Sequence, residues 1–274
     1  MKVAKNKNEN SGNALYVIKI GGNIIDDELK LATFLKDFAA ISEKKILVHG
    51  GGKLADRIAE KLGVPQQMIE GRRITSAETL KIITMVYGGY INKNIVARLQ
   101  SLNCNAIGLS GADANSILAY KRMHSSIDYG FAGDVESSRF NIKGWQLFLE
   151  NDLIPVVCPI THDGKGQLLN TNADTIAQET AKGLSSLYSV NLIYTFEKSG
   201  VLLNVNDDNS VIKKMNAESY RGLKDKQQIF AGMIPKVDNA FAALASGVKK
   251  VIIGSAEKLN ELVAGTSGTS IVNE

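Results

Sequence analysis

Leu15-Tyr16-Val17-Ile18-Lys19-Ile20-Gly21-Gly22-Asn23 and Lys45-Ile46-Leu47-Val48-His49-Gly50-Gly51-Gly52 share one pattern, a short β-prone run that ends in glycines. A helix-period segment follows each. After the first, Leu31, Phe34, Leu35 and Phe38 recur at the three- and four-residue spacing of one helix face. After the second, a helix from about Lys53 to Leu62 stops at Gly63, with Pro65 beyond it. Strand, glycine turn and helix in that order imply a mainly parallel sheet covered by helices on both faces. Ligands of such sheets bind beyond the carboxyl ends of the strands, where both glycine turns fall.

Outward from this pair the alternation continues. Residues 76–101 read as helical, interrupted at Gly88-Gly89, and short strands are expected at Ala106–Leu109 and Ser116–Ala119. Asp128–Asp134 is rich in turn formers; Asn141–Glu150 reads as a helix and Leu153–Pro159 as a buried strand. Asp163-Gly164 marks a turn, and Ala173–Gly183 a helix closed by its glycine. Later strands are predicted at Leu192–Phe196, Val201–Leu203 and Val251–Ile253, with a helix over Ile234–Ala245 before the last. The expected architecture is α/β, a three-layer α-β-α sandwich with a mainly parallel central sheet and two lobes around a cleft. Residues 1–14 form a polar N-terminal tail, 15–184 one lobe and 185–274 the other, divided at Gly183-Leu184-Ser185-Ser186.

Composition narrows the function classes. The 274 residues suffice for one large domain or two lobes, and 44% apolar with 22% charged residues is ordinary for a globular chain. The net charge of +4 comes from scattered basic residues, with no Lys/Arg stripe interleaved with aromatics, so nucleic acid is not expected as a partner. No run of about 18 apolar residues is present to cross a bilayer. The first 14 residues lack the apolar core of a secretory signal, which points to the cytoplasm. Cys104 and Cys158 lack metal-ligand spacing and sit in apolar runs, as small buried hydrophobes do; on count alone they could also pair.

Several residues have two readings each. Gly21-Gly22 reads first as a tight turn and only second as a phosphate contact; Gly50-Gly51-Gly52 adds the entropic cost of three consecutive glycines, which makes close approach of a ligand as good a reading as a turn. Neither is a P-loop, because Gly52-Lys53 is followed by Leu54. Lys19 lies inside an apolar strand and points opposite to Ile18 and Ile20, toward solvent or toward a charge. Lys236 opens a helix, a position that disfavours cations unless an anion is near. Asn172 and Asp174 suit helix capping, and Arg73 could be a surface arginine. His49 reads as packing beside its glycines, and His124 and His162 as loop residues.

Taken together, Lys19-Ile20-Gly21-Gly22, His49-Gly50-Gly51-Gly52, Gly71-Arg72-Arg73-Ile74-Thr75, Asn170-Thr171-Asn172-Ala173-Asp174 and Gly232-Met233-Ile234-Pro235-Lys236 occur in the order seen in the amino acid kinase family. The chain resembles that family from about residue 15 to residue 254, and within it the acetylglutamate kinases.

The resemblance implies ATP-dependent phosphorylation of the side-chain carboxylate of an N-acylated glutamate: acetyl, with succinyl or another acyl group as the alternative, or else a non-catalytic sensor on the same fold. Lys19 and Lys236 would neutralise charge on the transferring phosphoryl group, and Asp174 would hold both. Gly51, Gly52, Arg73 and Asn170 would bind the acylglutamate, and Gly21, Gly22, Gly50 and Gly200 would bind phosphate or nucleotide. ATP would enter with Mg²⁺ as co-substrate, with no protein metal site and no tightly bound cofactor. One turn departs from the family pattern: Thr195-Phe196-Glu197-Lys198-Ser199-Gly200-Val201 stands where an Asp-Val-x-Gly-like turn is usual, so adenine contacts cannot be carried over. The tail has no apolar stripe, and Ser11-Gly12-Asn13 would break a helix before the first strand. The expected assembly is therefore a homodimer through the N-terminal lobe, insensitive to arginine, rather than a hexamer joined by N-terminal helices.

Overall fold

A strand buried on both faces must be apolar on both, and the first strand meets this demand until its final turn. In β1 (Ala14–Ile20), Leu15 and Val17 pack into one hydrophobic cluster while Ile18 and Ile20 pack into another on the opposite face. The computed structural model describes residues 13–69, 72–204, 206–226, 228–229 and 233–273. Most of the polar tail, Gly71 and Gly232 lie outside the described residues.

A short helix α1 (Gly22–Ile25) leads into α2 (Glu28–Ala40), which buries Leu31, Phe34, Leu35 and Phe38 as their spacing predicts. Asp27 caps it, accepting from the amides of Leu29 and Lys30. From β2 (Lys44–His49), Lys45 turns inward, and its ammonium donates to the carbonyls of Phe38, Ala39 and Ile41 at 2.9, 2.9 and 2.6 Å. That lysine closes the C-terminal end of α2 from a neighbouring strand. Next come α3 (Gly52–Lys61) and a hairpin of β3 (Gln67–Ile69) and β4 (Arg72–Ile74).

The expected break at Gly88-Gly89 does not occur. α4 (Ala77–Ile83) runs through a π-helical stretch, Thr84–Ile91, into α5 (Asn92–Ser101). The glycines sit inside that wider turn, whose i→i+5 bonding keeps the helix continuous. β5 (Ala106–Leu109), β6 (Ile117–Lys121) and β7 (Gly133–Phe140) follow; β7 takes the end of the stretch read as turns and carries on past it. α6 (Ile142–Glu150) is capped by Asn141 and leads to β8 (Ile154–Val157). β9 (Ile160–His162) and β10 (Leu168–Asn170) flank the Asp163-Gly164 turn. α7 (Ala173–Leu184) passes through Gly183 rather than ending on it, because Gly183 does not take the positive φ of a helix-ending glycine.

β11 (Ser189–Phe196) covers the expected Leu192–Phe196, but among the described residues Val201–Leu203 contributes a single isolated bridge, from Leu202 to Val211, rather than a strand. β12 (Lys214–Met215) and α8 (Ala217–Asp225) precede α9 (Ile234–Ala245), β13 (Lys250–Ser255), α10 (Leu259–Ala264) and β14 (Thr269–Ile271).

Among the described residues, eight strands form the central sheet in the order β12-β14-β13-β11-β1-β2-β8-β5, and every neighbouring pair is parallel except β13 with β14. β1 is the reversal point, with β2 on one side and β11 on the other, so a crevice opens at its carboxyl end. α6, α7, α8 and α9 contribute to the core on one face; α2, α3, α4, α5 and α10 cover the other. A second sheet, β10-β9-β6-β7, flanks the first.

Lys45→Met keeps the apolar stem and removes the ammonium that the Ala39 and Ile41 carbonyls accept from at a buried helix end, while the Phe38 carbonyl keeps its bond from the Ile41 amide. The expected loss is about 2 kcal/mol of stability, read as a lower urea midpoint at unchanged m-value. An unchanged midpoint would mean that water satisfies those carbonyls equally well.

Candidate active site

Alternation along β1 turns Lys19 to the side of Leu15 and Val17, the face covered by α7 and α9. There its Nζ lies 2.8 Å from Oδ1 of Asp174. Asp174 is held by the start of α7, where the Asn172 side chain accepts from the amides of Asp174 and Thr175 at 2.8 and 3.3 Å. Lys236, in the first turn of α9, brings its Nζ to 3.5 Å from Oδ2 of the same carboxylate and over the Phe196 ring. The anion that a lysine at a helix N-terminus requires is thus Asp174. Burial pushes the Asp174 carboxyl up, but the two lysines outweigh it and hold it below the usual carboxylate range. Two ammonium groups around one carboxylate leave a net positive centre.

The glycine turns stand beside it. Gly51 has φ +149°, and a Cβ there would collide with Ile91 and press on Tyr87, so the position admits glycine alone. Gly51 offers no side-chain cap to α3, which leaves the first amides of that helix for a ligand. A Cβ at Gly21 would meet the Thr195 carbonyl at 3.2 Å, where β1 and β11 end side by side; at Gly22 and Gly50 it would meet nothing within 4 Å. Gly200 stands apart from these, packed against Thr269 and Val211.

A cavity of about 160 Å³ is lined by Gly50, Gly51, Gly52, Arg73 and Asn170, together with Arg72, Tyr87, Arg122 and Asn172. It is smaller than the roughly 300–1,000 Å³ of sites for drug-sized ligands, which suits a small acid. Ala173 also lines it, so the lysine–aspartate group lies at its margin. The Arg73 side chain is only 8% exposed, held by Asp56 and Gln66. Burial works against its charge, but Asp56 and Tyr87 outweigh that and raise its pKa. Asn170 donates to Thr75 Oγ1 at 3.0 Å, tying β10 to the end of β4. Arg122 pairs with Asp134 and lies over the Tyr129 ring.

The structure therefore brings together Lys19, Asp174 and Lys236, and separately Gly50, Gly51, Gly52, Arg73 and Asn170, around one crevice. Sequence reasoning missed Tyr87 and Arg122. Tyr87 is hidden in an apolar helical run, and Arg122 follows a strand with no motif around it.

The amino acid kinase family model matches residues 14–255. An acetylglutamate kinase from Cytophaga hutchinsonii is 55% identical over 94% of this chain and 98% of its own length. One from Phocaeicola vulgatus is 52% identical over 90% of this chain and 95% of its own. Among solved structures, carbamate kinase from Giardia lamblia bound to AMP-PNP has the same fold, with TM-score 0.66 and 15% identity over 97% of this chain and all of that one.

Lys19→Ala and Lys236→Ala should each reduce kcat far more than they raise KM, by about 3 kcal/mol of transition-state stabilisation. Near-normal turnover in either variant would remove that lysine from the transfer step.

Proposed function

The chain belongs to the amino acid kinase family, and we propose that it transfers the γ-phosphoryl group of ATP to the side-chain carboxylate of N-acetyl-L-glutamate. The product is N-acetyl-L-glutamyl 5-phosphate, the second step of arginine biosynthesis. Its curated relatives carry the name acetylglutamate kinase, and the reading rests on one observation, Lys19 and Lys236 clasping Asp174 beside an arginine-lined cavity.

The chemistry accounts for what the site contains. A glutamate carboxylate has a pKa of about 4, so it is already a nucleophile at neutral pH and needs no general base. One carboxylate oxygen bonds to the γ-phosphorus, the bond to the bridging oxygen breaks, and ADP leaves with the electron pair. The difficulty is to hold two anions together and stabilise charge spread over the equatorial oxygens. Lys19, Lys236 and the backbone amides at Gly21-Gly22 and Gly51-Gly52 would supply that stabilisation from fixed positions. Arg73 would grip a substrate carboxylate, Asn170 would bind the acylamino end, and Gly50 would face phosphate. Mg²⁺ would arrive with the nucleotide.

In the same reading, residues 15–184 bind the acylglutamate and residues 185–274 bind ATP. The strand order supports this, because β2, β8 and β5 lie to one side of β1 and β11, β13, β14 and β12 to the other. Membership of a kinase family supports ATP as donor. No helix among the described residues is long and apolar enough to cross a membrane; a cytoplasmic homodimer, insensitive to arginine, is proposed.

A coupled assay with ATP and a panel of N-acylglutamates tests the substrate, and turnover absent on every member would end the reading. In the same assay Arg73→Lys should raise KM for the acylglutamate and leave KM for ATP nearly unchanged, because lysine lacks the bidentate fork. An equal rise in both would take Arg73 out of the acceptor site. Light scattering with and without arginine should give a dimer in both cases; a hexamer whose activity falls with arginine would overturn the proposed assembly.

A further inference from the structure

Behind the glycine loop lies a buried polar chain that phosphoryl transfer does not use. His49, the last residue of β2, is fully buried. Its Nδ1 is 2.8 Å from the Gly50 carbonyl oxygen, and its Nε2 is 3.1 Å from the side-chain nitrogen of Asn92. A carbonyl oxygen only accepts, so Nδ1 carries the proton and Nε2 accepts from Asn92. The second amide hydrogen of Asn92 reaches the Val156 carbonyl at 2.9 Å, and its Oδ1 accepts from Lys93 at 3.3 Å. A flipped amide would set NH₂ against the Lys93 ammonium and oxygen against the Val156 carbonyl, so one proton arrangement satisfies every group. Burial lowers the His49 pKa to about 4 against the opposing bond to Gly50, which leaves the ring neutral.

The π-helical stretch supplies the partners. Tyr87 and Ile91, within it, fill the space a Cβ on Gly51 would need, and Asn92 is the first residue after it. The Gly50 carbonyl and the Gly51 amide belong to one planar trans peptide, so they point in opposite directions. A peptide between two glycines meets little steric resistance to flipping. With the carbonyl tied to His49, the Gly51 N–H points away from the ring, and Gly51 lines the cavity.

We propose that His49, fixed as its Nδ1–H tautomer by Asn92, is a positioning residue that prevents the Gly50–Gly51 peptide from flipping and keeps the Gly51 amide turned to the acceptor. The proposal rests on the acceptor-site reading above.

Two measurements test it. Nitrogen-15 NMR of the unsubstituted protein, with three histidines to assign, should report His49 as neutral with the proton on Nδ1. A charged ring or an Nε2–H tautomer would overturn the lock. In kinetics, asparagine at position 49 sets an amide nitrogen near where Nδ1 stood, whereas glutamine reaches toward Asn92 and not toward Gly50. His49→Gln should raise KM for N-acetylglutamate about tenfold with KM for ATP within about twofold, and His49→Asn should recover most of the loss. Equal KM values for the two variants would also overturn it. If neither variant folds, the tautomer decides. An unsubstituted protein that holds the Nδ1–H tautomer yet phosphorylates no acylglutamate would refute the functional reading and leave the lock standing.

Discussion

Lys19 carries its charge at the end of the central strand of a sheet covered on both faces, with a side chain only 14% exposed. An ammonium so placed is costly unless a counter-charge is held close to it. Asp174 is that counter-charge, and the need to deliver it constrains much of the rest. β10 must end where α7 can begin, Asn172 must cap α7 so that Asp174 faces β1, and α9 must approach from beyond β11 with Lys236 in its first turn. A second lysine on the same carboxylate turns a neutral pair into a positive centre, suited to anions rather than to stability alone.

The glycine loop is constrained from the other face of the sheet. Tyr87 and Ile91 occupy the space a side chain at Gly51 would need, and His49 holds the Gly50 carbonyl from beneath. Helix α3 then begins with unpaired amides beside the lysines. Positive charge from side chains and from a helix start meets in one crevice, with Arg73 fixed at its wall by Asp56 and Gln66. The central sheet reverses strand order at β1, and the crevice lies where that reversal parts the flanking loops.

Elements with strong periodicity were legible in advance. The face of α2, the extent of α9 and the strands before the glycine turns follow from local spacing, which backbone geometry alone enforces. β7 was not legible as a strand, because Asp134, Glu136 and Arg139 interrupt its apolar residues and its first residue falls among turn formers. The break expected at Gly88-Gly89 fails for a related reason. Paired glycines lower helix propensity, but packing of the flanking Val86, Tyr87 and Ile91 into the core outweighs that cost.

The sequence by itself determined the order of strand, glycine turn and helix, and the identity of the charged groups that could serve an anion, since these depend on neighbours along the chain. Only the tertiary structure decided that Lys19 and Lys236 share Asp174, that Arg122 and Tyr87 join the cavity, and that Gly200 packs elsewhere. Those are distances between segments remote in sequence. Strand register and sheet order set them, and no local propensity encodes either.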